Sequence, residues 1–170
     1  MNNIIIGNII SFIAAAFLAV SCVVKNRKQI FILQFLNCAI LAVASYFFGS
    51  YAAISTLILC CIRNIFIAKD KYTVKVMTVI LISVITLGLL TNNRGLIGLF
   101  PVVATVEYTI CCYLIKDVHK TRISIFVNET IWIIYSLLIL DFSTALTDII
   151  VIAVDLAVLF RKPKEKEHQN

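Results

Sequence analysis

Residues 25–71 read KNRKQIFILQFLNCAILAVASYFFGSYAAISTLILCCIRNIFIAKDK. The basic clip Lys25-Asn26-Arg27-Lys28 leads into an apolar run from Ile30 to Phe48, and Gly49-Ser50 breaks it. A second apolar run, Tyr51 to Ala68, closes on Lys69-Asp70-Lys71. A spanning helix needs about 20 mostly apolar residues, so each run reads as one span. Shifting the numbering by 91 (Lys25 onto Lys116) brings the layout back without a gap. Lys116 to Arg122 is basic, Ile123 to Leu140 apolar, Asp141 the break, Phe142 to Phe160 apolar, and Arg161-Lys162 the close. Phe35, Asn37, Ser45 and Thr56 meet Phe126, Asn128, Ser136 and Thr147 in this register. Shared hydropathy and ungapped length make the case for a duplicated membrane unit.

Composition excludes a soluble domain. The 170 residues are 61% hydrophobic and only 14% charged, with a mean hydropathy of +1.01. Soluble chains run at roughly 45–50% apolar and about 25% charged. The fold class is therefore all-α, a polytopic membrane protein whose partner is the lipid bilayer. The net charge of +6 bears on membrane topology first. No basic run alternates with aromatics over a soluble face, so no nucleic acid is expected. The six cysteines (Cys22, Cys38, Cys60, Cys61, Cys111 and Cys112) all lie in apolar runs without CxxC or Cys/His spacing. They read as small hydrophobes, and no metal or cofactor is expected.

The first span runs from about Ile4 to Val24. Its end, Leu18 to Cys22, has a faint lipoprotein look. No Lys or Arg precedes Lys25, so it reads as a retained helix rather than a signal. A fourth span, roughly Val74 to Thr91, has no counterpart in the repeat and reads as a linker. The fifth, about Leu96 to Ile115, holds Pro101, expected to loosen it locally, and Glu107. The expected layout is seven spans as 3+1+3: residues 1–71 the first three-helix repeat, 72–92 the linker helix, 93–161 the second repeat, and 162–170 a disordered cytoplasmic tail. With seven spans, thirteen of the fifteen Lys and Arg residues fall on one face. They lie around Lys25 to Lys28, Lys69 to Lys75, Lys116 to Arg122 and Arg161 to Lys166, leaving Arg63 within a helix and Arg94 opposite. The positive-inside rule then puts the N-terminus outside and the C-terminus in the cytoplasm.

Local sequence carries a resemblance. The clip Lys25 to Lys28, the Leu33-Gln34 start of the second span, Tyr46-Phe47-Phe48-Gly49-Ser50-Tyr51 and Arg63-Asn64 resemble the YgjV family of bacterial inner-membrane proteins. That resemblance implies a multi-pass protein of the bacterial cytoplasmic membrane. The 3+1+3 layout is in turn similar to the SWEET, SemiSWEET and PQ-loop transporters, which implies transport of a small solute. The chain departs from them where those relatives carry Pro-Gln, reading Ser21-Cys22-Val23 and Cys112-Tyr113-Leu114. It also has Thr56-Leu57 and Thr147-Asp148 where sugar carriers place an asparagine, which argues against a sugar.

Ionisable groups at membrane depth cost roughly 2.5–3.5 kcal/mol each on insertion scales and mark pathways or pairs. This chain has Arg63, Glu107, Glu129, Asp148 and Asp155. Counted from the nearest basic loop at about 1.5 Å per residue, most of these, with Gln34, Asn37 and Asn128, lie on the order of 9–14 Å deep. A common polar layer suits a central cavity. Asn128, Trp132 and Tyr135 share one face of the sixth span. Asn37, Asn128, Trp132 and Asp148 are the expected substrate-binding residues. Arg63, Asn64, Glu107, Glu129 and Asp155 are the expected buried charge network, with Arg63 paired to Glu107 first and Asp155 second. Taken singly, Asn128 and Trp132 are better explained by helix packing. Phosphate loops, Ser/His/Asp sets and HExxH motifs are absent, and His119 and His168 lie in basic segments. The expectation is a non-enzymatic carrier of an unknown small solute, as a monomer or homodimer. The alternative is a membrane scaffold or sensor that does not transport.

Overall fold

The computed structural model describes residues 2–24, 26–115 and 118–160, without the side chains of 22, 23, 118–122, 155 and 158–160. The expected tail, 162–170, lies outside the described residues. Seven α-helices follow one another among them: α1 (Asn2–Val23), α2 (Arg27–Phe47), α3 (Tyr51–Ala68), α4 (Val74–Leu90), α5 (Phe100–Leu114), α6 (Val118–Leu138) and α7 (Phe142–Phe160). A 3-10 turn at Ile97–Leu99 leads into α5, and no strand occurs among the described residues. Four stretches are long and apolar enough to cross a membrane: Asn2–Ser21, Arg27–Phe47, Tyr51–Ala68 and Ile97–Leu114. The apolar parts of α4, α6 and α7 are shorter.

The ends of the helices follow from local chemistry. Asn26 caps α2, its side chain accepting from Lys28 N at 2.9 Å, and Thr73 caps α4 through Val76 N at 3.4 Å. Each satisfies an amide that the first turn leaves without a partner. Pro101 corrects an expectation. It sits in the first turn of α5, where its missing N–H is no loss, rather than loosening the span from within.

The helices form a ring. α1 packs on α2 and α7, α2 on α3, α3 on α5, α5 on α6, and α6 on α7, while α4 lies outside against α3 and α5. Helix boundaries also recur at the shift of 91. It carries α2 onto α6 residue for residue, the start of α3 onto that of α7, and the end of α1 onto that of α5. The two interior turns share one hydrogen-bond pattern. Ser50 N donates to Ser45 O at 3.0 Å, and Asp141 N to Ser136 O at 2.9 Å. Gly49 and its mate Leu140 both take the left-handed conformation, at φ 65° and 66°. Glycine adopts that geometry without penalty, and leucine does so at some steric cost.

Packing divides the interior into layers. Ala44, Phe48, Ala53, Leu57, Tyr135 and Ile139 fill the end beneath the two turns, and Phe31, Ile67, Ala68, Tyr108 and Cys112 the opposite end. A third cluster, Leu59, Ile80, Val84 and Val102, seats α4. Gly88 allows this close approach, since a Cβ there would lie 2.5 Å from Val102 Cγ2. Small residues serve membrane helices in this way. The outer surfaces carry Ile5, Ile9, Phe12, Val79, Ile82 and Leu90, all exposed. So much apolar surface suits lipid and not water. The protein is an integral membrane protein.

Candidate functional site

Between the two end layers lies a narrow cavity into which α1, α2, α3, α5, α6 and α7 all send side chains. Its volume is about 60 Å³, room for a few waters. Residues 91 apart line its walls. Asn37, Cys38, Leu41 and Leu57 face the cavity, and so do their register mates Asn128, Glu129, Trp132 and Asp148. Only the asparagines are identical. The second copy places an acid, an indole and another acid where the first has a thiol and two leucines.

Arg63 enters from α3 and is 3% exposed. Its Nε and one terminal nitrogen donate to Asn64 Oδ1, both at 3.3 Å, and the other terminal nitrogen to Thr109 Oγ1 at 3.2 Å. The guanidinium lies over the Tyr108 ring, 4.7 Å from its centre, in a cation–π contact. Gln34 Nε2 donates to Tyr108 OH at 3.4 Å, which turns its carbonyl oxygen the other way. Asn128 Nδ2 donates to Ala104 O at 2.7 Å and ties α6 to α5. The Trp132 ring meets Tyr135 edge-on at 5.7 Å. Asp148, 2% exposed, lies within hydrogen-bonding reach of Glu129. No donor reaches Asp148 Oδ2 or Gln34 Oε1, although both atoms are buried.

One end of the ring is laced shut by hydrogen bonds. Ser50 Oγ bonds Tyr135 OH across the bundle. Arg94 donates to Phe48 O, and Asn93 Nδ2 to Gly49 O at 2.8 Å. At the opposite seam Ser11 Oγ donates to Asp141 Oδ2 at 2.8 Å, and Asn8 Nδ2 to Leu140 O at 2.9 Å. Asp141 also accepts from Thr144 N at 3.1 Å and Thr144 Oγ1 at 2.7 Å, capping α7. Burial pushes the Asp141 carboxyl above its ordinary value, against these hydrogen bonds. At the other end Tyr72 OH donates to Thr109 O at 2.9 Å, and burial raises this phenol too.

The structure places Asn37, Asn128, Trp132, Asp148, Arg63 and Glu129 around one cavity. Asn64 stands behind Arg63 as its acceptor. Glu107 stands apart, and its pairing with Arg63 is corrected: Glu107 Oε1 accepts from Ser124 Oγ at 3.0 Å and Cys111 Sγ at 3.2 Å. The reason is helical phase. Thr109 follows Glu107 by two residues, about 200° around α5, so Thr109 meets α3 while Glu107 meets α6. The side chain of Asp155 lies outside the described residues. Tyr108 and Thr109 belong to the site but were not singled out, and Gln34 was placed in the polar layer but not among the expected binding residues. Gln34 is one turn before Asn37, a same-face signal the sequence does carry. The described residues hold no group of three or more His, Cys, Asp or Glu side chains suited to a metal.

No curated protein and no solved structure matches this chain. A family model described as a bacterial inner membrane protein, Imp-YgjV, matches residues 5–166. With the apolar helices and the family match together, the chain belongs to the YgjV family of bacterial inner membrane proteins.

Proposed function

We propose that the protein carries a small polar solute across the inner membrane through this central cavity, without catalysing a reaction. The observation that carries the reading is one cavity among six helices, lined at mid-depth by Gln34, Asn37, Arg63, Asn128, Glu129 and Asp148. Polar and ionisable groups at membrane depth are costly and mark a solute pathway. The mechanism is a 3+1+3 carrier: α1–α3 and α5–α7 act as two units that rock about the cavity, and α4 is the linker. The shared turn geometry and the shift of 91 support two equivalent units. The hydrogen-bonded end faces outward, by the basic residues Arg27, Lys28, Lys69, Lys71 and Lys75 at the other. Opening outward then breaks Ser50–Tyr135 and the Arg94 contact. Opening inward parts the apolar layer around Phe31 and Tyr108.

The test is a thermal-unfolding screen of the purified protein against a panel of small metabolites. At least one should raise the unfolding temperature in the wild type and not in Asp148→Asn. A panel without any stabilising solute, with a protein partner retained on purification instead, would point to the scaffold reading.

A further inference from the structure

A second hollow lies between α2 and α3, at the end of the bundle that carries Arg27, Lys28, Lys69 and Lys71. Its volume is about 200 Å³, against about 60 Å³ for the central cavity. Each helix gives it a single face. Lys28, Phe31, Ile32 and Phe35 follow at i, i+3, i+4 and i+7 along α2, and Asn64, Ile65, Ala68 and Lys69 come from α3. From Lys28 to Phe35 the groove runs about 10 Å along the helix, at about 1.5 Å per residue.

Its chemistry is graded along that length. Lys28 and Lys69, both exposed, stand at the helix termini that form its mouth. Arg27 adds a third cation, its guanidinium over the ring of Phe31 at 5.8 Å. Deeper in, the lining is apolar. Asn64 is no exception, because its oxygen serves Arg63 and its amide nitrogen is turned to Cys38 Sγ at 3.8 Å. Asp70 follows Lys69 in the chain but does not line the groove. Both α2 and α3 are long and apolar enough to cross a membrane, and Ile32 and Ile65 on the groove are exposed. The medium facing the groove is therefore the bilayer.

An occupant has to join an anionic head at the membrane boundary to an apolar chain that runs inward from it. A phospholipid with net negative charge has that form. Lysines lay their stems along apolar surface and keep the ammonium at the interface, where lipid phosphates lie. A zwitterionic phospholipid brings the same chains with a cation of its own, which the three basic residues repel.

We propose that the groove between α2 and α3 binds one anionic phospholipid, its phosphate between Lys28 and Lys69 and an acyl chain along Phe31, Phe35, Ile65 and Ala68. This site is separate from the central cavity and does not depend on the carrier reading.

Native mass spectrometry of the purified full-length protein, titrated in neutral detergent, counts the lipids that stay bound. Dioleoyl phosphatidylglycerol and dioleoyl phosphatidylcholine are the anionic and zwitterionic probes with the same chains. Glycerol phosphate is the head group without chains. The expected result is one saturable phosphatidylglycerol, bound at least about fivefold more tightly than phosphatidylcholine. The double variant Lys28→Gln, Lys69→Gln should lose at least about tenfold in phosphatidylglycerol affinity. Lys71→Gln with Lys75→Gln removes the same charge off the groove and should change it less than about twofold. Ala68→Leu, which fills the apolar part, should weaken both phospholipids alike. Equal affinity for the two phospholipids, or equal losses in the two double variants, would overturn the proposal. Uptake of phosphatidylglycerol without saturation, as an annular lipid only, would overturn it too. So would its displacement by equimolar glycerol phosphate, which would make the site one for a soluble phosphate.

Discussion

Asn64→Leu is expected to destabilise the folded protein by about 3–5 kcal/mol, because it strands the buried charge of Arg63. Asn64 is fully buried, and its Oδ1 takes two of the guanidinium's donors. Leucine nearly conserves the volume and removes the acceptor, so the loss is electrostatic rather than a cavity effect. Thr109 and the Tyr108 ring would remain as partners, too few for a cation at this depth. Asn64→Asp is the informative companion. It sets a carboxylate on the same donors and should retain wild-type stability. Reversible unfolding in mixed micelles measures both. Equal losses in the two variants would mean that Asn64 acts through packing and not through Arg63.

Asp141→Ala should cost about 2–4 kcal/mol. It removes the cap of α7, worth about 1 kcal/mol, and strips the buried hydroxyls of Ser11 and Thr144 of their acceptor at about 1 kcal/mol each. Asp141→Asn should cost less, since an amide oxygen can still accept. The pH dependence has a defined sign. Burial raises the folded carboxyl above its unfolded value of about 3.9. The folded state therefore takes up the proton first, and this group's contribution to stability improves as pH falls through the raised folded value. The gain is complete below the unfolded value. Asp141→Asn should flatten that part of the stability profile. An unchanged profile would show that Asp141 does not titrate between the two states.

The helices were legible where apolar length and punctuation are strong. The run from Ile30 to Ala68 and its echo gave four helices, and Gly49 and Asp141 marked turns that share one backbone geometry. The likeness of Leu140 to Gly49 was hidden, because leucine carries no turn signal and is held in the left-handed region by its surroundings. Asn37, Asn128, Trp132 and Asp148 could be picked out because polar groups at membrane depth are conspicuous in a sequence. Partners were harder. Depth alone ranks Glu107 as the mate of Arg63, whereas the phase of α5 turns it toward Ser124. Depth gives one coordinate of a side chain, and pairing needs the angle as well. Gln34 shows the converse: its orientation depends on Tyr108, a contact between α2 and α5 that no local pattern encodes.

The most direct measurement of the account is the accessibility of one position from both sides of the membrane. Asn128→Cys, in a background cleared of the six native cysteines, would be reconstituted in vesicles of known orientation. A cysteine appended after Asn170 would serve as the marker of the cytoplasmic face. A small, charged, impermeant thiol reagent should label Asn128→Cys from either side, and the marker only from the cytoplasmic side. Labelling of Asn128→Cys from neither side or from one side alone, with loop cysteines reacting normally, would contradict alternating access through this cavity.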